Sequence, residues 1–229
     1  MKFKHLFALA VTAILIAPCN LLLADFAITE AYIGLSGSDG TEDWFEVTNF
    51  GTSVADTGTL FYDDSSADPT EGGALDSFLL APGESAVFLI SSGPAEIDEF
   101  NSIWAGVQNV GVTAGGGGFG GGGDSIFLFD NATDASAIVD SVSYDDTFDG
   151  VQVGTDPNGT NVFATIQFDL DGNASSSLLT SASSSTFAND NVGGTNGLVR
   201  LVGDPAGIPE PSSAALLGLC GLGLLRRRR

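Results

Sequence analysis

Hydrophobic and polar positions alternate in short runs through the middle of the chain, separated by Gly, Asp and Asn. Runs of this kind predict half-buried strands. They fall at residues 26–33, 44–48, 85–90, 125–129, 137–144 and 198–202. The cleanest period-2 stretch sets Val162, Ala164, Ile166, Phe168 and Leu170 against Phe163, Thr165, Gln167 and Asp169, and predicts a single strand. One helix is predicted over residues 95–104, where Ile97, Phe100 and Trp104 recur at helical spacing. Pro94 and the acids after it suit a helix N-terminus. Strands at this spacing predict an all-β domain, a two-sheet sandwich over residues 25–205.

The remaining pieces are of low complexity. Residues 115–123 are eight glycines around Phe119. With no Lys and with Asp124 following, they are no phosphate loop and are expected to form an ordinary loop. The serine-rich residues 175–185 and the polar residues 189–197 are expected to be surface loops.

The two ends follow a different pattern. Lys2, Lys4 and His5 precede an apolar run from Leu6 to Ala17, and Ala24 is the small residue before Asp25. This is the order of a secretory signal peptide, residues 1–24, with cleavage after Ala24. Pro18 argues against a lipoprotein reading of Cys19, because a small residue is expected there. At the other end, Pro209, Glu210 and Pro211 precede a mostly apolar segment from Ser212 to Leu225, and Arg226, Arg227, Arg228 and Arg229 follow. As a helix that segment spans roughly 21 Å against a ~30 Å hydrocarbon core. Snorkelling arginines and local thinning close part of the difference. The arginines act as a membrane stop signal on the cytoplasmic side. Both ends therefore give one topology, with the body outside.

Charge narrows the function classes. Between Asp25 and Ile208 there are 28 acids and one base, Arg200, a net charge of −27. A body with one cation cannot neutralise a phosphate backbone, so nucleic-acid binding is excluded. The same stretch has no His, Cys or Lys. That removes thiolate and imidazole metal sites and most nucleophilic and general-base mechanisms. No catalysis is expected. With 43% hydrophobic residues and 16 Phe, the chain still has enough apolar mass to bury a core without a disulfide.

Two resemblances follow from these residues. Pro209-Glu210-Pro211, the short apolar segment and the terminal arginines resemble the PEP-CTERM sorting signal, over about 22 residues. The resemblance implies an exported protein of a Gram-negative, exopolysaccharide-producing bacterium. Its partner would be an exosortase, a transpeptidase-like membrane enzyme that cleaves near Pro-Glu-Pro. The body resembles the lamin-tail domain at Ile28-Thr29-Glu30, at Asp43-Trp44-Phe45-Glu46-Val47-Thr48-Asn49 and at Leu80-Ala81-Pro82-Gly83-Glu84-Ser85-Ala86-Val87-Phe88. It does so again at Asp124-Ser125-Ile126-Phe127-Leu128-Phe129-Asp130 and at Val139-Asp140-Ser141-Val142-Ser143-Tyr144. The match covers residues 25–146 and implies an immunoglobulin-like sandwich, usually an accessory or binding module without catalytic residues. Residues 147–205 are expected to complete the same sandwich.

Candidate chemistry in the body is sparse. Trp44 and Trp104 have the type to stack on sugar rings, but are expected to be core or sheet-packing aromatics. Glu30 and Glu46 form a carboxylate pair such as a glycosidase uses, in a body where acidic pairs are common by chance. Asp169, Asp171 and Asn173 alternate like the start of a calcium loop and are the candidates for weak calcium binding, against a plainer reading as a solvated turn; Gly172 stands at the fourth position and no Glu at the twelfth, so they form no EF-hand. Residues 63–68 and 144–149 are further acidic turns. The sequons at Asn131, Asn158 and Asn173 are read as accidental. The sequence thus predicts a non-catalytic exported protein, passing through the inner membrane to the cell surface or extracellular polysaccharide matrix. The alternatives are a permanently anchored adhesin or ligand-binding domain and, behind it, a carboxylate-only polysaccharide hydrolase.

Overall fold

The computed structural model describes residues 26–33, 43–90, 93–104, 106–113, 115, 117–120, 122–148, 152–155, 161–176, 186–190, 199–203 and 205. The chain first forms β1 (Phe26–Tyr32), β2 (Trp44–Asn49), β3 (Ala55–Asp56), β4 (Phe61–Asp63), β5 (Gly73–Ala74), β6 (Leu79–Leu80) and β7 (Ser85–Ile90). The α-helix α1 (Pro94–Ile103) follows. Then come β8 (Val110–Thr113), β9 (Gly123–Phe129), β10 (Ile138–Asp145) and β11 (Gln152–Thr155). The last are β12 (Asn161–Ala164), β13 (Ile166–Phe168), β14 (Ala174–Ser176), β15 (Thr186–Asp190) and β16 (Val199–Gly203).

Two sheets enclose the main core. The larger has the order β14-β13-β1-β2-β7-β8, and the smaller has the order β10-β9-β4-β5. Alternation sets what each strand contributes. Phe26, Ile28, Phe45, Val47, Ala86, Phe88, Ile166 and Phe168 come from the larger sheet. Tyr62, Ile126, Leu128, Val142 and Tyr144 meet them from the smaller one. The described residues are thus mostly strand with almost no helix, consistent with the all-β sandwich expected from the pattern, although β11, β12, β15 and β16 form a sheet of their own.

The opposite face of the larger sheet carries a second cluster of Tyr32, Trp44, Val87 and Leu89, closed by Phe100 and Trp104. Helix α1 supplies Phe100, and Trp104, the residue that caps its C-terminus, donates its backbone N–H to Phe100 O at 2.8 Å. Pro94 opens the helix and Glu96 sits in its first turn, although Gly93 provides no side-chain cap. A ten-residue helix is marginal alone. The rings of Phe100 and Trp104, both edge-on to Trp44 at 5.7 and 6.3 Å, hold it to the sheet.

Three expectations change. The stretch from Val162 to Leu170 is two strands rather than one. β12 pairs with β11 and β16 in a separate sheet of order β11-β12-β16-β15, whereas β13 pairs with β1. The alternation continues across buried Thr165, so the pattern alone does not reveal the change of partner. Part of the serine-rich stretch is strand β14, because β13 offers it an edge, with Ile166 opposite Ser176. Asn189 lies in β15 opposite Arg200 rather than in a loop.

Candidate functional site

The sorting residues Pro209, Glu210 and Pro211, the apolar residues 212–225, Arg226 to Arg229 and the cleavage residue Ala24 lie outside the described residues. The structure does place what precedes them. β16 is an interior strand, parallel to β12 and antiparallel to β15. Pro205, just beyond it, is buried.

In the body, Thr29, Glu30, Glu46, Thr48, Ser85 and Thr165 form one buried polar seam. Glu30 and Glu46 are cross-strand partners of β1 and β2, at a register shift between Ile28 and Glu30. Both are buried, at 2% and 0% exposure. The Thr29 hydroxyl donates to Glu46 Oε1, and the Thr165 hydroxyl donates to Glu30 Oε1. Thr29 Oγ1 lies 2.9 Å from Thr48 Oγ1, which lies 2.7 Å from Ser85 Oγ. Hydroxyls thus line the carboxylate pair that the sequence offered only as a glycosidase-like candidate. Among the described residues this chain of hydroxyls joins β1, β2 and β7, and buried polar groups need such partners.

The neighbouring residues are engaged within the fold as well. Trp44 and Trp104 are each 1% exposed, so their rings belong to the second core cluster. Buried Asn49 donates Nδ2 to Ser53 O at 2.9 Å and to Leu80 O at 2.8 Å, and accepts from Gly51 N at 2.8 Å. Its backbone meets the Pro-Gly-Glu turn: Asn49 N donates to Glu84 O at 2.9 Å, and Gly83 N donates to Asn49 O at 2.7 Å. Gly83 has φ 82°, which favours glycine. Ala81 N then donates to Glu84 Oε2 at 2.8 Å.

The glycine run is the feature the sequence did not reveal. Phe119 enters the main core beside Phe45, Tyr62 and Tyr144, with ring centroids 6.2 to 6.4 Å apart. Its N–H donates to Asp43 Oδ2 at 2.7 Å, and the Gly120 N–H donates to Asp124 Oδ2 at 2.7 Å. Tyr62 donates its hydroxyl to Gly117 O at 2.8 Å, and Tyr144 donates to Gly120 O at 3.1 Å. Burial, and then the charges of Asp64, Asp124, Asp43 and Asp63, hold the Tyr62 hydroxyl far above the usual tyrosine range, so it stays a donor. The loop is pinned from both sides. A large aromatic within a glycine run was the available signal.

The candidate calcium residues form the turn between β13 and β14. Asp169 Oδ1 accepts from Asp171 N at 3.0 Å, Asn173 N at 2.9 Å and Asn173 Nδ2 at 3.0 Å. Asp169 Oδ2 accepts from Asn173 Nδ2 at 2.9 Å. The Asn173 side chain, then its backbone, holds the Asp169 carboxyl below its ordinary range. Asp63 is used alike, accepting from Ser66 Oγ at 2.5 Å and Asp68 N at 2.7 Å. Among the described residues no group of three or more His, Cys, Asp or Glu side chains is arranged to hold a metal ion.

Residues 207–229 match the PEP-CTERM protein-sorting motif. That is the segment whose three-part order stood out in the sequence. The motif indicates sorting by an exosortase-type system to the cell surface. No curated protein and no solved structure matches the chain. Among the described residues no helix is long and apolar enough to cross a membrane.

Proposed function

We propose that this chain is a non-catalytic exported module. A signal peptide of residues 1–24 carries it across the inner membrane. The apolar residues 212–225 then hold it there with Arg226 to Arg229 inside, as an intermediate. An exosortase-type enzyme cleaves near Pro209, Glu210 and Pro211 and delivers the body to the cell surface or the extracellular polysaccharide matrix. The observation that carries this reading is the sorting motif at residues 207–229. The body, read as lamin-tail-like over residues 25–146, serves there in a structural or binding role. Support for a role without catalysis comes from the absence of His, Cys and Lys between Asp25 and Ile208. Support comes also from the seam, where Glu46 accepts from Thr29 and Glu30 from Thr165, away from solvent.

The test follows the native protein through an internal tag. Surface and released fractions are expected to lack the arginine tail. Pro209→Ala with Glu210→Ala is expected to trap the protein in the inner membrane. A surface fraction that keeps the tail would make the chain an anchored adhesin or ligand-binding domain instead. For the catalytic alternative, reducing-end release from the native exopolysaccharide is measured with wild type and Glu46→Gln. Release lost in the variant, with its fold intact, would establish a carboxylate-only hydrolase.

A further inference from the structure

Three sequons stand in the body, at Asn131, Asn158 and Asn173. The pattern alone reads all three as accidental, but the structure separates two of them. Asn158 lies outside the described residues. At Asn173 the amide nitrogen is committed, because Nδ2 donates to both Asp169 oxygens, at 3.0 and 2.9 Å. Asn131 is the reverse case. It lies in the turn between β9 and β10, which Asp130 N closes by donating to Ala137 O at 3.1 Å. Residues 130, 131 and 133–136 are exposed, and no side chain of the turn enters the core. The held end of the Asn131 side chain is its oxygen. Oδ1 accepts from Thr133 N at 2.9 Å and from Thr133 Oγ1 at 3.1 Å. Among the described residues, Asn131 Nδ2 meets no acceptor.

We propose that Asn131 is an N-glycan acceptor, modified at Nδ2 from a lipid-linked oligosaccharide once the chain has left the cytoplasm. This rests on the export in the reading above. A sequon is used where it sits on an accessible surface loop of an exported protein, and the turn at Asn131 meets that condition. The Asn-x-Thr spacing lets the Thr133 hydroxyl and N–H reach back to one carbonyl oxygen, which fixes the amide plane. An amide nitrogen is a weak nucleophile because its lone pair is shared with its carbonyl. Two donors on Oδ1 draw charge onto that oxygen and make an Nδ2 proton easier to remove. In the transfer, Nδ2 forms a bond to the anomeric carbon, and the bond from that carbon to the lipid pyrophosphate breaks. The electron pair leaves with the pyrophosphate, the Nδ2 proton passes to a base of the transferase, and nothing is oxidised or reduced. A glycan on Asn131 displaces no hydrogen bond among the described residues, whereas on Asn173 it would replace an N–H that Asp169 uses. It would also stand at the entry to β10, a strand that pairs only with β9 among the described residues and begins at exposed Ile138. A bulky hydrophilic group there limits edge pairing with other chains.

The experiment uses the full-length chain in its native host, with an internal tag placed outside residues 130–137. Surface and released protein is purified, and its mass is measured intact and on proteolytic peptides that span residue 131. A sugar-mass increment on Asn131 is expected in the wild type. It is expected to be lost in Asn131→Gln and in Thr133→Ala, and kept in Thr133→Ser, which retains both donors to Oδ1. Asn131→Gln is expected to melt and to be exported as the wild type does, because the turn supplies no core side chain. An exported wild type with bare Asn131 would overturn the acceptor and leave the sorting reading intact. A glycan on Asn158 or Asn173 with Asn131 bare would overturn it as well. If no tagged protein is exported, the export reading fails and the acceptor with it.

Discussion

Asp140 Oδ2 accepts a 2.7 Å hydrogen bond from Ile28 N, a residue 112 positions away. Both residues sit where a strand slips register: β1 between Ile28 and Glu30, β10 between Ile138 and Asp140. A bulge leaves backbone groups outside the ladder, and here one of them finds a carboxylate from the other sheet. Asp140 is directed inward because it stands opposite Leu128, a core residue. The bond ties edge strand β10 to interior strand β1. An inward charge on an edge strand also discourages pairing with other chains.

Asp140→Ala should therefore leave the Ile28 N–H without its partner, at a cost of about 1–3 kcal/mol. Asp140→Asn retains an acceptor and should cost much less. Burial pushes the Asp140 carboxyl up from its ordinary 3.8, and the Ile28 and Ser141 N–H groups oppose this only in part. Between 3.8 and that raised value the folded state holds more protons than the unfolded one. The contribution of Asp140 to stability is thus greatest below this window and is lost as pH rises through it. Denaturant unfolding across the window should show that slope in the wild type and not in Asp140→Asn.

The exposed acidic turns act in the opposite direction. Asp56 is lowered by the Gly58 N–H and then Ser77, Asp68 and Asp134 by Thr70 and Ser136, and Asp145 by Thr147. Asp169 is lowered by Asn173. Each contribution is present above the ordinary value of 3.8 and is lost as pH falls through the depressed folded value. Stability should consequently fall on acidification below 3.8, and a combined Asp134→Ala, Asp145→Ala and Asp169→Ala variant should show a flatter acid limb. An unchanged limb would mean that these turns bond equally well in the unfolded chain.

The glycine run separates residues that look identical in the sequence. A Cβ on Gly117 would lie 2.2 Å from Asp64 Oδ2, so Gly117→Ala must displace that carboxylate. A Cβ on Gly122 meets nothing within 4 Å, so Gly122→Ala should be close to neutral. Phe119→Ala empties a core site and should cost about 3–5 kcal/mol. Tyr62→Phe removes the bond to Gly117 O and should cost about 1 kcal/mol. Amide exchange gives an independent reading: the Phe119 and Gly120 N–H groups, bonded to Asp43 and Asp124, should be protected.

How much of this was legible depended on whether one segment carried its own signal. Ser85–Ile90 and Trp44–Asn49 are read almost to the residue, because alternation and flanking turns coincide there. Helix α1 was legible from Pro94 and the spacing of Ile97, Phe100 and Trp104. The break at Thr165 was not, since β12 and β13 share one alternation and differ only in the distant strands that they join. β8 was missed because Gly111 interrupts a four-residue strand. A Cβ at Gly111 would lie 2.8 Å from Phe78 Cε2 and Asp76 Cβ, a demand visible only after folding. The sorting motif was legible because its three parts are consecutive. The Asp43 and Asp124 supports of the glycine run were not, because 28 acids between Asp25 and Ile208 give no reason to single out two.

That same acidity dictates the response to salt. With 28 acids and one base between Asp25 and Ile208, the folded body repels itself more strongly than the expanded chain does. Sodium chloride shortens the range of that repulsion to about 8 Å at physiological strength. Thermal stability should rise with added salt, by about 2–4 °C for each ~1 kcal/mol of repulsion relieved. Calcium at matched ionic strength separates screening from a site. At the turn after β13 the ion would have to displace Asn173 Nδ2, which donates to both Asp169 oxygens. If Asp169, Asp171 and Asn173 do take calcium, the rise should exceed that in sodium, and Asp169→Ala should abolish the excess. Equal melting temperatures in the two salts would assign the whole effect to screening and leave Asp169 as a cap of its own turn.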